Sequence, residues 1–90
     1  MLLPGNVVKI QSDDKCGRAN KTAIITHVNL NVERSYQVQI TQCEIGIFKA
    51  KELQLVSKEM SNSQYNWLIN IFKNTYTEKA INKITNSFDA

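Results

Sequence analysis

The spacing of apolar residues changes once along this 90-residue chain, near Val56, and that change limits the folds open to it. Before it, apolar residues recur at every second position. Val8 and Ile10 flank Lys9, and Tyr36, Val38 and Ile40 alternate with Gln37, Gln39 and Thr41. A period of two marks a half-buried strand. After it, Tyr65, Leu68, Ile69, Phe72, Tyr76, Ala80, Ile84 and Phe88 follow steps of one, three and four, which is one face of a helix. The chain is therefore expected to be mainly β, with about five strands over residues 1–57. A helix or broken helix pair over residues 58–90 should pack on the strands rather than form a domain of its own.

Punctuation places the elements. Pro4-Gly5 is a turn signal before the first strand, and residues 11–21 form a long polar loop with Lys15, Arg18 and Lys21. Residues 22–30 are β-rich with imperfect alternation, as in a strand that bends. Residues 45–48 read as a fourth strand interrupted by a bend or bulge at Gly46. Lys49 to Glu52 suit one 3₁₀ turn, and Leu53, Leu55 and Val56 a fifth strand. Ser61 or Ser63 can cap the helix, which weakens near Asn74 and Thr75. Asn62, Asn66, Asn70 and Asn74 mark its wet face.

Ninety residues make one small domain that buries about 60–65% of its unfolded surface, so a deep dry cleft is not expected. The net charge of +3 is spread along the chain and permits, without demanding, an acidic partner. Two cysteines are too few for a disulfide framework. No secretory h-region follows Met1-Leu2-Leu3, and no apolar run is long enough to span a membrane. A cytoplasmic protein with reduced thiols is expected.

Gly5-x-Val7-Val8-x-Ile10, then Gly17, then Ala23-x-Ile25-x-x-Val28 resembles the KOW motif of ribosomal proteins and transcription elongation factors. The segment F-K-A-K-E-L-Q-L-V is similar to the last turn and strand of many such modules. The resemblance covers residues 4–56. It implies a five-stranded SH3-like (KOW/Tudor-like) small β-barrel with a C-terminal α-helical extension, and a nucleic-acid-binding role.

Two binding surfaces follow, and no enzyme. Lys15, Arg18 and Lys21, joined by Lys49 and Lys51, suit the phosphates of RNA or DNA, with Tyr36 or Phe48 to stack on a base. Trp67, Ile71 and Ile81 lie off the helix stripe and suit a protein partner or a homodimer; a barrel edge is the other protein-binding option. The alternative role is thus that of an adaptor, accessory subunit or small inhibitor. His27, Cys16 and Cys43 lack the close ligand pair of a zinc site, and nothing orients them as a nucleophile and base. No metal, cofactor or small-molecule substrate is expected.

Overall fold

The computed structural model describes residues 2–11, 20–30 and 33–88. Along them run β1 (Val7–Ile10), β2 (Thr22–Asn29), β3 (Ser35–Gln39), β4 (Ile45–Phe48), a 3₁₀ turn (Ala50–Glu52), β5 (Leu53–Ser57), α1 (Asn62–Thr75) and α2 (Glu78–Phe88). The strands form one antiparallel sheet in the order β4-β3-β2-β1-β5.

The expected barrel is not closed. β4 and β5 stand at opposite ends of the sheet, each paired with one neighbour among the described residues. Closure would need a further strand pairing along edges that are four and five residues long. The sheet curls instead. Val8, Ile10, Ala23, Ile25, Tyr36, Val38, Phe48 and Leu53, drawn from all five strands, meet in one cluster to which no helix contributes. A flat sheet could not bring these residues together. The bend is helped by a bulge at Thr26, where the β2–β3 register shifts; the Thr26 hydroxyl donates to the Gln37 carbonyl at 3.3 Å.

The opposite face is covered by the helices. Val7 and Ile24 pack with Leu68, Ile71 and Phe72, flanked by half-buried Trp67, Tyr76, Ile81, Ile84 and Phe88. Val7 and Val8 therefore serve different cores, as do Ile24 and Ile25.

Ser61 caps α1 with a reciprocal pair. Gln64 N donates to Ser61 Oγ at 3.1 Å, and Ser61 N donates to Gln64 Oε1 at 2.8 Å. The helix ends where Tyr76 turns extended (φ −120°, ψ 157°). Thr77 then caps α2, its Oγ1 accepting from Ala80 N at 3.3 Å. The break interrupts the expected stripe, and within α1 the buried face is also turned from it. The buried face of α1 is Leu68, Ile71 and Phe72, whereas Tyr65 is 41% exposed. Apolar steps of four run through Tyr76 in sequence, but the extended residue resets the helical phase there.

Candidate functional site

β4 is an edge strand, and its register decides what that edge offers. Ile40 N donates to Glu44 O at 2.9 Å, which makes residues 40 and 44 a directly hydrogen-bonded pair. Antiparallel pairs alternate, so Val38–Gly46 and Tyr36–Phe48 are of the same type. Gln39–Ile45 and Gln37–Ile47 are the intervening pairs. Their backbone N–H and C=O groups on β4 point away from β3, toward the open edge. Gly46 sits in regular register opposite Val38, without the bulge or bend the sequence led us to expect.

The side chains alternate with the same parity. Phe48 enters the inner core at 3% exposure, whereas Ile45 and Ile47 lie on the other face, 54% and 62% exposed. Edge strands are commonly blunted by charge, proline or a bulge; the β4 segment I-G-I-F has none of these. β5, at the far end, is blunted, because its register with β1 shifts at Val56.

Ile45 shares its face of the sheet with an apolar groove. It pairs with Gln39, which pairs with Ile24, so the three share one face. A groove of about 270 Å³ opens between this face and α1, lined by Ile24, Gln39, Ser63, Gln64 and Trp67 among others. Gln39 is buried, and its Nε2 donates to the carbonyls of Thr41 at 2.7 Å and Glu44 at 3.4 Å. Its amide is thus engaged by the β3–β4 turn.

The sequence-derived sites fare unevenly. Lys15 and Arg18 lie outside the described residues, as does Cys16. Lys21 and Lys51 are exposed. Lys49 Nζ stands 2.7 Å from Glu33 Oε2. That contact raises the lysine pKa and lowers that of Glu33, the hydrogen bond being the larger cause in both. Tyr36 is 2% exposed and Phe48 3%, so both rings belong to the inner core and neither is offered to a base. Ile71 is 8% exposed, while Trp67 and Ile81 are half-buried against the same helix–sheet core. The three form part of the chain's own packing rather than a spare helix face.

His27 sits half-buried in a groove between β2 and α2 that Tyr76 and Lys83 also line. Its Nδ1 is 3.0 Å from Thr26 Oγ1. With the hydroxyl proton directed at Gln37 O, that oxygen accepts from Nδ1–H. Burial lowers the imidazole pKa from its ordinary value. Among the described residues no three His, Cys, Asp or Glu side chains are grouped as a metal site would need, and no helix is long and apolar enough to cross a membrane.

Ile45 and Ile47 were not among the candidates drawn from sequence. Their signal was present: β4 is apolar on both faces, which is ordinary inside a sheet and costly at its edge. Compared with protein-family models, curated proteins and solved structures, the chain matches none of them.

Proposed function

We propose that this chain is a non-enzymatic binding module whose partner is a protein, held along the β4 edge of the sheet. One observation carries the reading. Ile45 and Ile47 stand more than half exposed on a strand that also presents its backbone donors and acceptors outward. Such an edge recognises an extended backbone, with the two isoleucines supplying apolar contact. The module is a curled relative of the SH3-like and KOW-type barrels; the pairing of β5 with β1 and the 3₁₀ turn before β5 support that kinship. A reducing, cytoplasmic setting suits the exposed free thiol of Cys43.

The nucleic-acid reading has less support. It keeps Lys21 and Lys51 as exposed cations, but its stacking residues are buried and Lys49 is engaged by Glu33. A photo-crosslinking phenylalanine analogue in place of Ile47 tests the proposal in cells. The expected product is a protein adduct, reduced when Ile45→Lys is added. Absence of any protein adduct, together with RNA or DNA binding that falls steeply with salt and is lost in Lys21→Glu/Lys51→Glu, would overturn it in favour of nucleic acid.

A further inference from the structure

The geometry points to a second copy of this chain as the occupant of the β4 edge. This inference rests on the edge reading above and names its partner. The outward N–H and C=O groups belong to Ile45 and Ile47, and Gly46 lies midway between them. A two-fold axis through Gly46 sets β4 antiparallel to itself. Ile45 then faces Ile47 of the partner subunit, and Ile47 faces the partner's Ile45. Each of these outward N–H groups meets an outward C=O across the axis, so none of them is left over. The contact is isologous, residue 45 meeting 47 and 47 meeting 45, and in I-G-I both of these meetings are isoleucine against isoleucine.

The register is selected by its neighbours. A slide of two residues one way would set Ile45 opposite Lys49 of the partner subunit, whose ammonium is held by Glu33. A slide the other way would set Ile47 opposite the partner's Cys43, which lies in the turn rather than in a strand. Only the central register places isoleucine against isoleucine at both positions. Pairing β4 with β5 of another copy, which would build an open chain or a ring, meets the bulge at Val56 and the charged residues Lys58 and Glu59 just beyond β5. In the central register the two sheets join into one. The isoleucines line up on the helix-side face, alongside the groove under Trp67 in each copy.

Charge placement reads this register directly. In Ile45→Lys/Ile47→Lys, like charges oppose each other across the axis. In Ile45→Glu/Ile47→Lys, each introduced carboxylate opposes an introduced ammonium of the other copy. Both positions are exposed in the single chain, so the variants should fold, and far-ultraviolet circular dichroism checks this. In sedimentation velocity the wild-type chain is expected to be dimeric. The double-lysine variant should dimerise at least about tenfold more weakly, and the Glu/Lys variant should recover most of that loss. A wild-type monomer at every concentration, or a dimer unaffected by the lysines, would overturn the inference. So would a dimer that the lysines break and the Glu/Lys pair does not restore. A wild-type monomer that still forms adducts with another protein through position 47 would leave the edge reading standing and remove only the second copy. Loss of both would remove both.

Discussion

Gly5 lies directly against Phe88: a Cβ placed on the glycine would sit 3.2 Å from the Phe88 Cβ and 3.3 Å from its ring. Gly5 also holds φ +90°, a conformation that suits glycine and strains other residues. Two costs therefore meet in Gly5→Ala. We expect it to destabilise the fold by about 1–3 kcal/mol, measured by urea unfolding. Phe88→Ala removes the ring but keeps its Cβ, so it relieves part of the steric cost and none of the backbone cost, and Gly5→Ala should cost somewhat less in that background. A strictly additive double-mutant cycle would show that the ring contributes nothing.

The buried face of α1 makes a second prediction. Phe72 is 1% exposed and stacks edge-on with Tyr76 at a centroid distance of 5.4 Å. Phe72→Ala should cost about 3–5 kcal/mol, whereas Tyr65→Ala, on an exposed position, should stay within about 0.5 kcal/mol. Equal losses at the two sites would mean that the helix is rotated from the orientation described.

Stability should depend on pH through His27. Burial lowers its folded-state pKa below the ordinary value of 6.5, so the folded chain prefers the neutral ring and the unfolded chain binds more protons. The stability it confers is present above about pH 6.5 and is lost as pH falls from there through the folded-state pKa. Urea midpoints should be level from pH 8 to about 7 and then decline with acidification. His27→Gln should flatten the first part of that decline. An unchanged slope would remove His27 as its cause.

Ser61→Ala opens the capping pair at the start of α1 and should cost about 1 kcal/mol, while Ser63→Ala, inside the helix, should change little. Both effects are readable from thermal unfolding, and a reversed order would contradict the cap assignment.

Much of the fold was legible in the chain. The change of period near Val56, the turn at Pro4-Gly5, the 3₁₀ turn after Phe48 and the weakness before Tyr76 are all local signals, and the elements follow them. What was not legible is what depends on distant neighbours. Tyr36 alternates like any half-buried strand residue, and only the curl of the sheet takes its ring into the core. Lys49 reads as a free cation until Glu33 arrives from another loop. Trp67 and Ile71 read as surplus because the stripe was anchored on Tyr65 and Ile69, whereas the buried face of α1 is centred on Leu68, Ile71 and Phe72. The β4 edge was hidden for the same reason: strand order is a property of the whole sheet, and I-G-I-F reads alike at its centre and at its rim.

The sheet with a core on each side has one more consequence, and it falls on Lys9. Val7 faces the helices, Val8 and Ile10 face the inner cluster, and Lys9 is exposed. A one-residue slip of β1 would exchange the two faces. In the slip that moves each residue one place on, Val7 would take the place of Val8, so that position barely distinguishes the right alignment from the wrong one. At the other end the slip would carry an ammonium group into the space now filled by Ile10, among Ala23, Tyr36 and Leu53. Lys9 thus acts on the alternatives to the native state rather than on the native state itself: it is a proofreading charge, silent while the strand is aligned and costly as soon as it is not.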